Sequence, residues 1–522
     1  MKTKSNYLLL AALFGGVLFN LLFWTQRLAL NLLIYSVFIL IITYFNKEVN
    51  HGTKYKIYGL AHLIAAILVV INNSDLTIVT YYISMLLLVG FSHYPKIRTV
   101  YTSILATLIQ IITVPFSFLN KLSFVQIGRF KLMPILRPIK YIILPVIIVA
   151  IFAGIYSAAN DVFANYLELF LTHISNFLYN TFSFIFKDIS LPRLFHTVFG
   201  IILTGGLLIT FYNKRLENAE SKCKEQLLRI RSRFKKSSVW MELIQTFSGN
   251  ITTRKTALKT EYIIGVISFV GLNLLLLSLN LIDITTLWFG YKPSGNFSSD
   301  LHQGTNALIF SIVMAMAVIL YFFRANLNFY SKSKTLKLLA YTWMVQNMIL
   351  IISVFIRDAY YIEFYGLTHK RIGVLVFAIL CIIGLTTVYL KVAKQRTLFY
   401  LFKVNGNIWF ILLLAFSTIN WDVLIVKYNF SKADQIAIDP DYMLSLSEKT
   451  LPILDQNRKK LIVFPSFIPK GEVIVRSTDD QILTRLDNKI GYFTDRYQKT
   501  TWLSWNLQDW NTAEYFGLNK LK

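Results

Sequence analysis

Runs of mainly apolar residues, most of them near the length that crosses a hydrocarbon core of about 30 Å as a helix, recur from Tyr7 to Trp421. No soluble core accommodates so many of them. The composition agrees, with 55% hydrophobic residues and only 15% charged residues, against about 25% charged in soluble domains. The runs fall at 7 to 24, 28 to 45, 58 to 71, 76 to 92, 99 to 119, 141 to 158, 195 to 212, 262 to 282, 307 to 323, 338 to 356, 372 to 390 and 408 to 420. The expected fold is therefore mainly α, a polytopic bundle of 11 to 13 transmembrane helices with twelve as the count. The runs at 58 to 71 and 408 to 420 are short, and the one at 99 to 119 contains Gln110 and Pro115, so these three are expected to tilt, extend or re-enter.

The formal net charge of +26 raises the question of a nucleic-acid partner. Its distribution answers against one. From Trp421 onward 14 basic residues face 13 acidic ones, which leaves 39 basic and 14 acidic residues in the apolar part, mostly in short loops. Such clusters orient helices in a membrane. The loops at 120 to 140, 213 to 260, 324 to 337 and 391 to 406 hold 5, 12, 4 and 4 basic residues, whereas those at 159 to 194, 283 to 306 and 357 to 371 hold 2, 1 and 3. By the positive-inside rule the first set is cytoplasmic and the tail after Trp421 is outside. The N-terminal third fits less well: five spans before residue 120 place the N-terminus outside, although Lys2 and Lys4 favour the inside, so one of the five is expected not to cross.

Three regions divide the chain: N-terminal transmembrane segments at 1–120, the main bundle at 121–421 and a C-terminal extracytoplasmic domain at 422–522. Within the first long outer loop, Asp161 through Phe163, Tyr166, Leu169 and Phe170 to Phe182 and Phe186 read as a helix lying on or dipping into the outer leaflet. In the loop at 213–260, Leu227, Ile230 and Phe234 recur at helical spacing among Arg229, Arg231, Arg233, Lys235 and Lys236. That pattern fits either a basic amphipathic helix held against anionic lipid or a solvated linker. In the tail, Leu461 to Phe464 and Val473 to Arg476 look like short strands, followed by a helical pattern through Ile482, Leu486, Ile490 and Phe493. A small mixed α/β or helical domain follows from this.

Zinc-spaced cysteine pairs, H-E-x-x-H, phosphate-binding G-x-x-x-x-G-K-[ST] and G-x-S-x-G are all missing from the sequence, and no cofactor is called for. Within the spans the polar residues are mostly neutral: His62, Gln110, Asn273, Asn280, Gln346 and Asn347. Such residues more often hydrogen-bond one helix to another than bind cargo, which weakens a carrier reading. Ionisable residues instead collect on the outer side. Asp161, His302, Arg357, Asp358, Tyr361, Tyr365, Thr368, Arg371 and Asp422 are the candidate binding residues, with no metal site. The run from Arg357 to Arg371 is too polar for lipid and too aromatic for a free loop, so it is expected to pack on the tail or on a ligand.

At this run the chain resembles a known family. Arg357-Asp-Ala-Tyr-Tyr361, then Tyr365-Gly-Leu-Thr368 and Arg371, resemble the signature of bacterial multi-pass membrane proteins catalogued only as a domain of unknown function. Supporting matches are Ala158 to Phe163, Leu301 to Gly304, Asn420 to Asp422, Asn429, Asp441-Tyr442, Leu446-Ser447 and Leu451-Pro452, covering roughly residues 90 to 455. The resemblance implies a polytopic body in a bacterial cell membrane and names no activity. Two function classes follow: a non-catalytic protein that senses, binds or organises an envelope component, or an envelope enzyme acting on a lipid-linked substrate through Asp161, His302, Asp358 or Asp422. A carrier ranks third.

Overall fold

Apart from positions 48, 50, 325 and 437, the computed structural model describes residues 2–122, 152–182, 191–209, 214–229, 255–289, 297–462 and 478–518, with short strands at 126–127, 130–131 and 250–251. The fold is mainly helical. The chain divides into two compact units, one of residues 1–97, 101–217 and 500–506, the other of residues 98–100, 218–499 and 507–522.

In the first unit, α1 (Lys2–Phe23), α2 (Leu30–Phe45), α3 (Thr53–Asn72), α4 (Asp75–His93) and α5 (Val100–Leu122) precede α6 (Asp161–Phe182) and α7 (Leu191–Leu208). Antiparallel α1 and α7 touch closely enough that glycine is required. A Cβ on Gly16 would lie 2.2 Å from Ile201 Cγ1 and 2.7 Å from its backbone nitrogen. Small residues at such contacts let helices gain dispersion energy where no hydrophobic effect drives them together. The turn after α1 and the segment Thr500–Asn506 share one end of the unit: Arg27 N donates to Ser504 Oγ at 2.9 Å and Leu30 N to Trp505 O at 3.2 Å. Asn73, after α3, joins that end through Leu28 O at 2.9 Å. Asn46 and Lys96 mark the opposite end, bonding Leu208 O at 3.2 Å and Glu217 Oε1 at 3.1 Å. Thus α1 to α4 alternate in direction, and Ser103 and Thr107 of α5, bonded to Leu87 O and Leu86 O, continue the alternation. None of the first five helices is left without a partner.

The second unit begins with α8 (Lys255–Asp283), which ends in a π turn over Ile284–Trp288, then α9 (Phe297–Phe322), α10 (Ser333–Tyr365), α11 (His369–Ala393) and α12 (Leu398–Phe416). Their shared core holds Phe269, Ile319, Leu336, Trp343, Ile351 and Leu385. The tail adds α13 (Trp421–Ser431), α14 (Pro440–Ser445), α15 (Leu451–Gln456), α16 (Arg458–Ile462), α17 (Asp479–Gln498) and α18 (Leu507–Tyr515). These pack with Leu367 and Ile372 into a second core containing Val426, Leu454, Leu461, Ile482, Leu486 and Phe493. Leu461 therefore sits in a helix, not in the short strand that its β-branched neighbours suggested; local propensity yields to burial against α17. The second expected strand, Val473 to Arg476, lies outside the described residues.

Among the described residues six helices, α3, α4, α8 with its π turn, α10, α11 and α12, are long and apolar enough to cross a membrane, and shorter apolar helices lie within α1, α2, α5, α7 and α9. The expected run at 141 to 158 falls largely outside the described residues. Both short runs extend: 58 to 71 becomes α3, and 408 to 420 reaches back to Leu398 because Lys403, which interrupts the apolar pattern, pairs with Glu225 at 2.6 Å. Apolar side chains on α8 point away from the protein, Ile267 at 67% and Leu275 at 70% exposure, a face that fits lipid.

The neutral polar residues of these helices face other helices. Gln110 bonds His93 at 2.8 Å and Gly206 O at 2.7 Å, His62 bridges Ser84 and Ser36, Asn273 donates to Leu339 O, and Asn280 to Gln346 O. Each such bond is worth about 0.6 kcal/mol in a membrane. Substituting Gly16→Val should part α1 from α7 and cost about 1–3 kcal/mol, seen as a lower unfolding midpoint of the purified protein in detergent; an unchanged midpoint would refute the close contact.

Candidate functional site

With 33 residues, α10 is longer than the roughly 20 residues that span a bilayer, so its last turns carry polar residues that an apolar pattern does not reveal. Arg357 and Asp358 stand there. The helix stops at Gly366, whose φ of +76° suits glycine, and a Cβ at that position would lie 2.6 Å from Asn429 Oδ1. Leu367 presents its backbone to the same side chain: its N–H donates to Asn429 Oδ1 at 2.6 Å and its carbonyl accepts from Asn429 Nδ2 at 3.0 Å. Thr368 then caps α11 by accepting from Arg371 N.

Arg371 closes the corner from the inside. Its guanidinium donates to the carbonyls of Tyr365, at 2.8 Å, and Gly366, and lies 4.2 Å from the centre of the Tyr361 ring. Backbone groups that a helix end leaves without partners are satisfied here by two side chains, one from α11 and one from α13. The YGLT-type run is thus first of all a helix–turn–helix corner, and it packs on the tail: His369 N donates to Tyr442 OH at 2.9 Å.

Around this corner opens a cavity of about 880 Å³, within the range of small-ligand sites. Its wall includes Arg357, Asp358, Tyr361, Tyr365, Thr368 and Arg371, six of the sequence candidates, together with His369, Lys370, Asn429, Asp439 and Tyr442. The remaining candidates stand elsewhere. Asp422 lies behind His369, which it meets at 2.7 Å, while its other oxygen accepts from Ser447 N at 3.2 Å. Asp161 is exposed at the start of α6 in the first unit and does not line the cavity. His302 belongs to α9, and its side chain lies outside the described residues.

Several polar atoms in this wall have no hydrogen-bond partner among the described residues: Asp358 Oδ2, Arg357 Nε and Arg371 Nε. Asp358 is 5% exposed and Arg371 is 9% exposed. Arg357 is otherwise engaged in an ion pair with the buried Asp283, just before the π turn of α8, and π turns often mark functional positions. Trp288 at the end of that turn donates to Ser353 Oγ at 3.0 Å, which fixes α8 against α10. Leaving such groups unsatisfied costs about 1–3 kcal/mol each, so a ligand that completed the bonds of these three wall residues would be favoured in the cavity. Sequence reasoning passed over His369, Lys370 and Asp439. The adjacent basic pair after a helix cap was the available signal for the first two; Asp439 gave none.

Two outcomes follow from the corner. Gly366→Ala should destabilise the protein by about 1–3 kcal/mol through the strained φ and the clash with Asn429, measured by thermal unfolding. Burial opposes ionisation of Asp422, but hydrogen bonds from His369 and Ser447 outweigh it and hold this carboxyl down at about 2. Its stabilising effect is present above the usual carboxylate range and is lost as pH falls toward 2. The Asp422→Asn variant should therefore show a flatter loss of unfolding midpoint below pH 5 than the native chain.

A family model described as a domain of unknown function (DUF4153) matches residues 58–457. No curated protein and no solved structure matches the chain.

Proposed function

We propose a function from one premise, that the chain belongs to the DUF4153 family: it is an integral protein of a bacterial cell membrane that binds an envelope component in the corner cavity without transforming it. The supporting observation is the cavity itself, whose wall at the ends of apolar helices includes Arg357, Asp358 and Arg371, each with a buried polar atom that has no partner among the described residues.

Orientation follows from the opposite end of the same unit. There Lys391 donates to Phe323 O, Gln395 to Asn328 O at 2.9 Å, and Thr397 to Lys224 O at 2.6 Å, so the basic loops at 213–260, 324–337 and 391–406 meet. The positive-inside rule makes this end cytoplasmic and the cavity external. No further apolar run of spanning length follows Trp421, so the tail, including Thr500–Asn506, is external too. Because Ser504 and Trp505 bond the turn after α1, that turn is external and the N-terminus cytoplasmic, where Lys2 and Lys4 favour it. Five crossings from a cytoplasmic N-terminus put the loop at 120–140, with its 5 basic residues, outside, so the parity conflict moves to that loop. A bundle of about a dozen crossings remains our count. The lipid bilayer is the partner of this body, with anionic lipid as the partner of the loop at 213–260, whose helical pattern lies mostly outside the described residues.

One observation favours the enzyme reading as an alternative. His369, held by Asp422 at 2.7 Å, faces the cavity mouth, and an oriented imidazole of this kind serves acid/base chemistry. A strain lacking the protein separates the two. For a binding protein, envelope lipid and glycan composition stays unchanged, whereas accumulation of a lipid-linked precursor establishes the enzyme. For orientation, a reporter active only after export should work when fused after Trp421 and when inserted at Thr25, and activity of a cytoplasm-only reporter at either site contradicts the topology.

A further inference from the structure

We propose that the cavity receives the phosphate-bearing headgroup of a membrane amphiphile, with Lys370, Arg371 and Arg357 on the phosphate and Asp358 on a hydrogen-bond donor of the same headgroup. This rests on the reading of the cavity as a ligand site and names its chemistry.

The first turn of α11 reads His369-Lys370-Arg371 and contains no acid. A helix N-terminus carries roughly half a positive charge and favours acids, so three consecutive basic residues there oppose its field unless an anion compensates them. The helix end by itself is not the receptor: the N–H groups of His369 and Arg371 are already taken by Tyr442 and Thr368. The side chains are what remain. Arg371 is nine-tenths buried, lines the cavity and keeps Nε without a partner, as does Arg357. Guanidinium N–H groups match phosphate oxygens in geometry and charge. Lys370 is exposed on the same wall and supplies a third cation.

Asp358 sets the second requirement. A buried carboxyl group whose Oδ2 has no partner gives a phosphate no cation but accepts from a hydroxyl or an ammonium. Asp439, the other acid of the wall, is occupied in capping Tyr442 N at 3.0 Å. The headgroup must therefore carry both a phosphate and a donor. Ile309, Val374 and Phe377 complete the wall on the side of the membrane-spanning helices, and an apolar strip there suits an acyl chain better than a soluble phosphate.

The test uses the full chain in nanodiscs of phosphatidylcholine, whose headgroup has a phosphate but no N–H or O–H donor, doped with phosphatidylethanolamine or phosphatidylglycerol. Bound lipid is read by native mass spectrometry. The donor-bearing lipids should be retained roughly tenfold over phosphatidylcholine, the effect of one charge-assisted hydrogen bond. Lys370→Ala, at an exposed position, should weaken retention of every phospholipid. Asp358→Asn should erase the preference among them, and an unfolding midpoint near that of the native chain certifies its fold. Equal retention of all three lipids by the native chain overturns the proposal. Full competition by free phosphoethanolamine or glycerol phosphate overturns the amphiphile and assigns a soluble ligand. Gly373→Trp separates this failure from that of the wider reading: Gly373 lines the cavity with open space beyond its Cα, so the indole fills it. If retention of a lipid lacking phosphate is lost in Gly373→Trp, the cavity stands as a ligand site and only its phosphate chemistry falls. If Gly373→Trp leaves every lipid bound as before, the cavity is not the site and both readings fall.

Discussion

The corner between α10 and α11 reverses the chain where it leaves the apolar layer, and the second unit is organised around that reversal. Four residues, Tyr365 to Thr368, must change direction without stranding their backbone groups. Asn429 supplies both a donor and an acceptor to Leu367, while Arg371 supplies donors to Tyr365 and Gly366. This arrangement obliges α13 to lie against the corner. Once it does, Ile425, Val426 and Phe430 meet Leu367 and Ile372, and the tail helices complete a core on that nucleus. The cavity is a by-product of the same packing, since the chain from Asn429 to Tyr442 covers the corner without filling the space beside it.

Charged groups gather at both ends of this unit. At the end with the basic loops, charges meet opposite charges or carbonyls: Lys403 and Arg98 approach Glu225, Arg98 also donates to Glu220 O at 2.8 Å, and Lys391 reaches Phe323 O. Glu220 Oε2 and Arg396 Nε nevertheless lack partners there among the described residues, and the cavity end has such atoms too. Arg357 is joined to Asp283, whose other oxygen also lacks a partner among the described residues, and Asp358 accepts from nothing described. A low-dielectric setting makes such groups expensive. Unpartnered buried atoms occur elsewhere in the chain as well, among them Gln110 Oε1 and Asn280 Oδ1, but those of Arg357, Asp358 and Arg371 border a cavity large enough for a ligand.

How much of this was legible in the residues depends on the range of the interaction concerned. The helices followed from apolar run length, and the neutral polar residues such as Gln110 and Asn280 were readable as bonds between helices, because few other roles are open to an amide in lipid. Six cavity residues were legible as a cluster because they adjoin in sequence across one turn. Their partners were harder: Asn429 and Tyr442 stood out only as matches to the family pattern, and Asp439 not at all, because nothing local marks a residue that meets the corner from more than sixty positions away.

By itself, then, the sequence determined a body of apolar helices fit for a membrane, the gathering of basic residues in alternate loops and a polar, aromatic run at a helix end, since hydrophobic length and loop charge act locally and need no tertiary partner. Tertiary structure alone decided that the signature run is a clasped corner and that a cavity opens beside it. It also decided that Asp422 stands behind His369, away from the wall, and that Thr500–Asn506 caps the turn after α1. The reason is common to all four. Each depends on a backbone group or charge finding its partner across the fold, and a one-dimensional pattern of apolar and basic residues holds no record of such distances.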